Sequence, residues 1–461
     1  MGKIYLISVN MGYGHQRAAY PLKNLAVEEE IVNANDYLGI SKKDRKIWET
    51  TRKGYELISK FKKIPLIGEF GFFIFDQFQK ILSFYPKRDL SKPNFQLKQT
   101  FSLIRKGWGE YLIKKLSAHQ PEPPPLISTF FAPAFMAEYF SYPGQIFCLI
   151  CDADISRAWA PFNSKTSRIK YFAPTERVAE RLKLYGVKEE NIFLTGFPLP
   201  LENTGSENLE ILKNDLKYRL LNLDPQKRFF RYYEPLTKKY LGNLPQKPNH
   251  PLTLMFAVGG AGAQKEIGIK ILKCLKINLK KDYNPPTASE VSAESRRVVG
   301  GSKSRSFRER APGIKIILSA GIKKEVKEYF LKNIKNLGLK NHLGKEIEIL
   351  FEENIESYFR SFNLALRKTD ILWTKPSELS FYSVLGIPII IAPPIGSQEE
   401  FNKRWLLKSG FGLLQENPNY VHQWLFDWLE KGYLAEAAMQ GFIEGEKLGT
   451  YKIEKIISKN G

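Results

Sequence analysis

The chain has 461 residues, of which 43% are hydrophobic and 26% are charged. This composition is typical of a soluble globular protein, and the length allows two or three domains. Apolar runs stay shorter than the roughly 18 residues of a transmembrane helix, and the first residues lack the layout of a signal peptide. We therefore expect a cytoplasmic protein without a membrane span.

The formal net charge is +22, and much of the excess is local. Residues 40–115 contain 18 Lys or Arg and seven Asp or Glu. Such an excess indicates an anionic partner, which could be membrane lipid, nucleic acid or polyphosphate. A solvated basic surface is the alternative. Because no base-reading module is recognisable, nucleic acid is not the expected partner.

The three cysteines are Cys148, Cys151 and Cys274. The first two lie in one apolar run, and a strand places positions three apart on opposite faces, so they cannot readily form a disulfide. We expect reduced core residues. Three cysteines and five scattered histidines form no four-ligand zinc pattern, so no metal is expected.

Strand-like runs alternate with helical stretches along both halves of the chain. In the first half the predicted strands are residues 3–9, 30–35, 126–130, 145–151 and 192–196, with helices at 15–29 and 178–185. In the second half the strands are 252–258, 314–318, 346–351, 370–373 and 388–392, with helices at 265–280 and 324–337. This βαβ alternation predicts parallel, doubly wound sheets. We expect an acceptor domain at 1–200, a linker at 201–250, a nucleotide domain at 251–417, and helices at 418–461 that pack back across the domains.

Two segments interrupt the alternation. Residues 55–86 mix aromatic and basic side chains, which suits a membrane interface with Lys60, Lys62, Lys63, Phe72 and Phe73 at the headgroups. A buried helical hairpin is the alternative. Residues 282–312 contain Ser, Pro, Gly and Arg with few apolar residues, and predict a disordered basic insertion.

A first glycine-containing loop, Gly12-Tyr13-Gly14-His15, follows a predicted strand and opens a helix. Its glycines permit close approach of a ligand to the backbone. The third glycine position of a dinucleotide fingerprint holds Arg17, which argues against dinucleotide binding. A histidine at this junction is a candidate site residue.

A second loop carries Gly259, Gly260 and Gly262 between a strand and a helix, as a diphosphate cradle would. It lacks the Gly-Lys-Ser/Thr ending of a P-loop, so ATP hydrolysis is not expected. A purely structural turn is the alternative.

Two further loops come after neighbouring predicted strands and open helices. The first is Thr374-Lys375-Pro376-Ser377-Glu378, and the second carries Gln398, Glu399 and Asn402. Helix N-termini present unpaired N–H groups, so these junctions predict a nucleotide pocket. Two glycine loops far apart in sequence further suggest two nucleotide-fold domains facing one cleft.

Asp152 follows a buried strand at the edge where ligands bind open α/β sheets. Its carboxylate could act as a general base toward a hydroxyl. Trp159, seven residues later, could pack against a sugar ring or a lipid glycerol. Helix N-capping by Asp154 is the alternative use of this loop.

Together these residues resemble the glycosyltransferases that make galactosyl- and glucosyl-diacylglycerol. More distantly, they are similar to the transferase that adds N-acetylglucosamine to the peptidoglycan lipid precursor. The resemblance rests on collinear motifs over residues 3–412, namely Gly12-Tyr13-Gly14-His15 with Arg17-Ala18-Ala19, Asp152 with Trp159, Tyr171-Phe172-Ala173-Pro174-Thr175, Gly186-Val187, Thr195-Gly196-Phe197-Pro198, Gly259-Gly260-Ala261-Gly262, Thr374-Lys375-Pro376, and Gln398-Glu399-Glu400-Phe401-Asn402.

The resemblance implies a GT-B fold of two Rossmann-like doubly wound sheets facing a central cleft. It implies transfer of a hexose from a nucleotide-sugar donor to a lipid hydroxyl, without a cofactor, on the inner face of an anionic membrane. His15 and Asp152 would be catalytic, Gly12, Gly14, Arg17 and Trp159 would bind the acceptor, and the glycine loop, Thr374, Lys375, Glu378, Gln398, Glu399 and Asn402 would bind the donor.

The sequence departs from the family pattern at three places. Ser377-Glu378 replace a Gly-Gly pair, Ser383 occupies the position of the ribose-binding Glu, and Ser156 replaces a His that usually precedes the Trp. Glu378 or Glu399 could supply the lost ribose contact, since a carboxylate accepts hydrogen bonds from both ribose hydroxyls. A sugar-nucleotide epimerase and a non-catalytic nucleotide-sugar-binding protein are the alternatives.

Overall fold

The computed structural model describes residues 3–50, 81–118, 123–260, 262–280 and 313–460. The predicted membrane residues, Lys60, Lys62, Lys63, Phe72 and Phe73, and the predicted insertion at 282–312 lie outside these ranges. The chain divides into two compact units. The first comprises Met1–Pro200, Pro394–Trp405 and Glu446–Gly461, and the second comprises Leu201–Pro393 and Leu406–Gly445. Residues 201–250, expected as a linker, therefore belong to the second unit.

The first unit contains a six-stranded parallel sheet in the order β2-β1-β3-β4-β5-β6. Its strands are β1 Ile4–Ser8, β2 Ala26–Asn33, β3 Leu126–Ser128, β4 Ile146–Leu149, β5 Lys170–Ala173 and β6 Ile192–Leu194. The strand order reverses direction between β1 and β3. In an open α/β sheet, the carboxyl ends of the strands at such a switch point form the usual ligand crevice.

Two helices on this sheet begin at side chains that accept backbone hydrogen bonds. Asn94 accepts from Leu97 N, and Thr175 accepts from Val178 N, as N-cap residues do. The helices of the first unit with described bounds are Gly14–Ala19, Phe95–Arg105, Glu110–Ser117, Phe131–Tyr139, Glu176–Leu184 and Gly449–Asn460, and the helix Ser397–Lys408 starts in this unit.

The prediction of a helix at residues 15–29 is correct only as far as Ala19. The α-helix ends at Ala19, a 3-10 helix with Pro21 at its start covers Tyr20–Leu25, and β2 begins at Ala26. Glu28 and Glu29 have positive φ angles, and the pairing of β1 with β2 shifts across them. Because β2 is an edge strand, this bulge of exposed carboxylates discourages pairing with another chain.

The second unit contains another six-stranded parallel sheet, in the order β12-β11-β10-β7-β8-β9. Its strands are β7 Leu252–Ala257, β8 Ile314–Gly321, β9 Ile347–Phe351, β10 Ile371–Thr374, β11 Ile389–Ile391 and β12 Gly412–Leu414. Taken from β7, this is the strand order of a Rossmann sheet, with its switch point between β7 and β10. The predicted fold class, two Rossmann-like doubly wound parallel sheets, is confirmed.

The helices of the second unit pack around strands that are buried on both faces. All six residues of β7 are buried, which is why the strand is one uninterrupted apolar run. The α-helices are Leu201–Thr204, Glu210–Leu223, Arg228–Leu241, Lys265–Leu275, Lys324–Asn336, Ile355–Leu366, Val421–Glu430 and Tyr433–Glu444. Residues 201–250 thus form three helices, because their leucines at helical spacing are buried in this unit.

The two cysteines of the apolar run behave as predicted. Cys148 lies in β4 and Cys151 follows it, and both are buried free thiols. Burial raises the pKa of the Cys148 thiol, so this sulfur stays protonated. Among the described residues, no helix is both long enough and apolar enough to cross a membrane.

Candidate functional site

His15 lies at the switch point of the first sheet, where the loops after β1 and β3 meet. Its Nδ1 is 2.7 Å from the carbonyl oxygen of Thr129, the residue directly after β3. A carbonyl only accepts hydrogen bonds, so Nδ1 must carry the proton. In the neutral ring, Nε2 is then the proton acceptor. The structure therefore fixes His15 in the tautomer that a general base requires.

The loop before His15 depends on glycine. Gly12 has φ +104°, which side-chain-bearing residues rarely adopt, and a Cβ there would meet nothing within 4 Å. Backbone conformation, and not crowding, is therefore what requires glycine. Gly14 begins the helix Gly14–Ala19, and Arg17, on the same helix, is only 1% exposed.

Aromatic rings surround the imidazole of His15. Its centroid is 5.0 Å from that of Phe130 and 6.2 Å from that of Trp159. Trp159 also packs edge-on against Phe131, at 5.4 Å. The structure thus brings together two residues predicted for catalysis and acceptor binding, in an apolar environment suited to a sugar face or a lipid glycerol.

Asp152 follows β4, at the same carboxyl edge of the first sheet. Asn402 donates from Nδ2 to Asp152 Oδ1 at 3.1 Å, and its Oδ1 accepts from Ala153 N at 2.8 Å. The Asn402 side chain is fully buried. All three residues belong to the first unit, although Asn402 is distant in sequence. An amide predicted to contact the donor therefore contacts the predicted catalytic carboxylate.

Asp154 does not cap a helix. Ser156 is the N-cap of the following 3-10 helix, Arg157–Trp159, whereas Asp154 pairs with Arg181 in a buried salt bridge. Its two carboxylate oxygens accept from Arg181 Nε at 2.9 Å and Nη2 at 2.8 Å. This bidentate pair immobilises the loop between Asp152 and Trp159.

Arg157 holds the same loop from the other side. Its guanidinium donates to the carbonyl oxygens of Ser91, Ala160 and Pro161. Burial lowers the pKa of Arg157 to about 10, which still leaves it protonated at neutral pH. Two buried arginines therefore set the geometry of the loop that carries the candidate site residues.

In the second unit, the glycine loop after β7 lies at the switch point of the sheet. Gly262 N donates to Gly259 O at 2.7 Å, and Gly262 has φ +68°. The helix Lys265–Leu275 follows, and Gln264 Nε2 donates to Pro393 O at 2.8 Å. A tight glycine turn that opens an 11-residue helix is the arrangement of a diphosphate cradle.

The loop after β10 contacts this glycine turn. A Cβ at Gly259 would lie 2.4 Å from Lys375 Cε, so only glycine leaves room for the lysine in this position. Thr374 Oγ1 donates to Ala257 O at 3.2 Å, which joins the ends of β10 and β7. The predicted donor residues Gly259, Thr374 and Lys375 are thus brought together.

The 3-10 helix Glu378–Leu385 explains the departure at Ser383. Ser383 is fully buried, and its hydroxyl donates to Ser380 O at 2.7 Å. A Cβ at Gly441, on the helix Tyr433–Glu444, would lie 2.4 Å from Ser383 O. Position 383 is therefore packed beneath a helix, and no carboxylate is supplied there. Glu378, at the start of the 3-10 helix, is 8% exposed.

The other predicted donor residues lie in the first unit. Gln398 and Glu399 occupy the first turn of the helix Ser397–Lys408. Glu399 Oε2 accepts from Ile395 N at 2.7 Å and Gly396 N at 3.5 Å. Glu399 thus fastens the loop that precedes its own helix. The predicted donor set is divided between the two units, with Gly259, Gly260, Gly262, Thr374, Lys375 and Glu378 in the second.

Sequence reasoning did not identify Thr129, Arg157 or Arg181 as part of this site. Thr129 was detectable in principle, because it follows a strand next to β1 at the carboxyl edge of the sheet. The two arginines were not detectable from local sequence, since Arg181 pairs with Asp154, 27 residues away, and Arg157 donates to Ser91 O, 66 residues away, as well as to nearby carbonyl groups. No group of three or more His, Cys, Asp or Glu side chains in the described part of the chain is placed to hold a metal ion.

Known proteins resemble the chain only distantly. The family model described as a domain of unknown function (DUF6938) matches residues 314–451. No curated protein matches the chain. The chain is similar to the UDP-GlcNAc 2-epimerase of Neisseria meningitidis bound to UDP-GlcNAc, with 14% identity, 100% of both chains covered and a TM-score of 0.46.

Two further solved structures are similar to the chain. MurG of Acinetobacter baumannii is 12% identical, covers 99% of this chain and 98% of its own, and has a TM-score of 0.43. A glycosyltransferase of Rickettsia africae is 12% identical, with the same coverage and a TM-score of 0.40. All three scores lie below 0.5, so the assignment of the fold rests on the two sheets themselves.

Proposed function

We propose that the chain is a GT-B glycosyltransferase that moves a hexose from a nucleotide diphosphate-sugar to the hydroxyl of a lipid or lipid-linked acceptor. The observation that carries this proposal is the hydrogen bond from His15 Nδ1 to Thr129 O at the switch point of the first sheet. It assigns Nε2 as the proton acceptor, which is what activation of an acceptor hydroxyl requires. Binding of a nucleotide alone would not require it.

The glycine loop of the second unit supports a diphosphate donor. The turn from Gly259 to Gly262 opens the helix Lys265–Leu275, whose N-terminus favours negative charge. Lys375 packs against Gly259 and adds a cation beside the turn. Backbone N–H groups and one lysine suit a pyrophosphate, so the proposal includes no metal and no other cofactor.

In the proposed reaction, His15 Nε2 takes the proton of the acceptor hydroxyl while the hydroxyl oxygen forms a bond to the anomeric carbon of the sugar. The bond from that carbon to the β-phosphate oxygen breaks, and the nucleoside diphosphate leaves with the electron pair. The glycine loop stabilises the developing charge on the diphosphate. Asp152 is the second candidate for the base, since its carboxylate lies at the same sheet edge.

A lipid acceptor is supported by the surroundings of His15 and by charge. Phe130 and Trp159 offer apolar rings beside the imidazole, where a sugar face or a glycerol could pack. The excess of basic residues between positions 40 and 115 suits an anionic surface. We therefore place the enzyme on the cytoplasmic face of a membrane, bound peripherally.

The second candidate function is binding of a nucleotide-sugar without transfer, or its epimerisation. Ser383 favours this candidate, because it is buried beneath a helix where the resembling family has a ribose-binding Glu. Such a protein would bind nucleotide-sugars but would form no glycolipid.

The test is incubation of purified protein with radiolabelled UDP-glucose, UDP-galactose or UDP-N-acetylglucosamine and anionic vesicles that contain diacylglycerol. Labelled lipid, extracted and separated, supports transfer. Conversion of the sugar-nucleotide into its epimer, followed by proton NMR, would identify the epimerase. If nucleotides raise the melting temperature but neither product forms, the chain is a protein that binds nucleotide-sugars without transferring them.

A further inference from the structure

The helix Ser397–Lys408 begins in the first unit, directly after a loop that leaves the second sheet. The chain exits β11 at Ile391, contributes Pro394–Trp405 to the first unit, and returns to the second unit at Leu406. One short segment of helix therefore belongs to the unit that holds His15 and Asp152. Its residues can contact that site directly, although they follow the second sheet in sequence.

Asn402 uses both ends of its amide on the loop after β4. Nδ2 donates to Asp152 Oδ1, and Oδ1 accepts from Ala153 N, at 3.1 and 2.8 Å. Thr175 Oγ1 donates to the carbonyl oxygen of the same residue, Ala153, at 3.1 Å. A fully buried, doubly bonded amide fixes both the position and the rotation of its carboxylate partner.

The N-terminus of this helix is held by Glu399, one turn before Asn402. Its carboxylate accepts from the backbone N–H groups of Ile395 and Gly396. Residues three apart in a helix lie on neighbouring positions of one face. Asn402 therefore lies one turn after a helix start that Glu399 fastens to the preceding loop.

We infer that Asn402 is a positioning residue that orients the Asp152 carboxylate toward the acceptor, and that its role is not direct contact with the donor. This inference rests on the proposed function and deepens it. The amide is a neutral donor, and a carboxylate has enough lone pairs to accept from both the amide and a hydroxyl.

The first experiment measures the interaction between Asp152 and Asn402 and does not depend on enzyme turnover. Asp152→Ala, Asn402→Ala and the double variant form a thermodynamic cycle for thermal unfolding of the purified chain. We expect strong non-additivity, with the double variant no less stable than the less stable single variant. Additive losses would overturn the inference, whether or not the protein proves to be a transferase.

The second experiment separates positioning from donor binding. Asn402→Ala should lower acceptor-dependent turnover about a hundredfold through misplacement of Asp152, while the dissociation constant for UDP changes less than twofold. Lys403→Ala is the matched control, because Lys403 is the next residue of the same helix and its side chain pairs with Glu400. A large loss of UDP affinity in Asn402→Ala, with turnover retained at saturating donor, would make Asn402 a donor contact and overturn the inference.

A third variant distinguishes positioning of Asp152 from a general loss of stability. Asn402→Asp places a second carboxylate beside Asp152, so the pair should share a proton and the pH optimum of transfer should move upward. Asn402→Asp combined with Asp152→Asn restores one amide and one carboxylate, and should recover stability without recovering transfer. An unchanged pH profile in a folded Asn402→Asp variant would contradict the inference.

Discussion

His15 is the residue on which the proposed chemistry depends most. Its Nδ1 is committed to Thr129 O, so the ring can act only through Nε2. His15→Ala removes the base and should lower transfer by about 10² to 10⁴ while the fold is retained. The measurement is turnover at saturating UDP-sugar, with circular dichroism and UDP affinity as checks on the fold. His342→Ala, which removes a histidine paired with Glu346 in the second unit, is the control. Wild-type turnover in His15→Ala would exclude the role.

A second prediction for a single residue concerns Gly259. An alanine Cβ would lie 2.4 Å from Lys375 Cε, so Gly259→Ala should displace the lysine from the glycine turn. UDP affinity should fall about tenfold, by calorimetric titration, because one charge-assisted contact is lost. Lys375→Ala should cause a similar loss, and the double variant should add little to it. If Gly259→Ala binds UDP like the wild type, the cradle is elsewhere.

At the scale of single elements, the helix Glu210–Leu223 is fixed by one buried cation. Arg219 donates to the carbonyl oxygens of Leu366, Thr369, Leu385 and Gly386. Leu366 ends the helix Ile355–Leu366, Thr369 comes just before β10, and the other two residues lie at the end of the 3-10 helix Glu378–Leu385. Burial lowers the pKa of the Arg219 guanidinium. Its four carbonyl acceptors compensate for the loss of water, because each takes a hydrogen bond that the buried cation would otherwise leave unmade. The anchor explains why residues predicted as a linker are part of the second unit.

Arg219→Met should therefore destabilise the second unit by about 2–4 kcal/mol, since it leaves several buried carbonyl groups without a donor. The free energy of unfolding in urea, followed by tryptophan fluorescence, is the measurement. Arg367→Met is a matched control, because Arg367 pairs with Asp215 of the same helix, and this pair is partly exposed and worth less than about 1 kcal/mol. Equal losses in both variants would show that Arg219 is not an anchor.

The sequence predicted most strands because buried parallel strands are apolar runs between polar loops. It missed β5, which has four residues, and β12, whose three residues at the edge of the second sheet include only one that is buried. It extended the first helix too far, because Pro21 and the bulge at Glu28 and Glu29 are local features that helical periodicity does not register.

The candidate site was predictable only in part. Loops at the carboxyl ends of strands identified His15, Asp152 and the glycine turn, since parallel strands bring such loops to one edge. The contact between Asp152 and Asn402 spans 250 residues of sequence and depends on one segment returning to the first unit. Periodicity and propensity contain no information on such a return.

For the whole molecule, the basic excess predicts attachment to anionic membranes. Lys60, Lys62 and Lys63 would each contribute roughly 1 kcal/mol near an anionic surface. Lys60/Lys62/Lys63→Glu should therefore abolish co-sedimentation with anionic vesicles, and wild-type binding should weaken as salt screens the charges. Lys332/Lys335/Lys340→Glu makes the same charge change at exposed positions of the second unit, and should leave sedimentation largely intact. Equal pelleting of all three proteins, or none, would remove the membrane hypothesis.

The central claim is that the chain transfers a sugar, and does not merely bind its nucleotide. The most direct measurement is release of UDP from a UDP-sugar with and without diacylglycerol in anionic vesicles, for the wild type and His15→Ala. We expect release that depends on the vesicle acceptor and yields an equal amount of glycolipid, and we expect His15→Ala to lose it while still binding UDP. Tight UDP binding by the wild type, with no acceptor-dependent release from any tested UDP-sugar, would contradict the account.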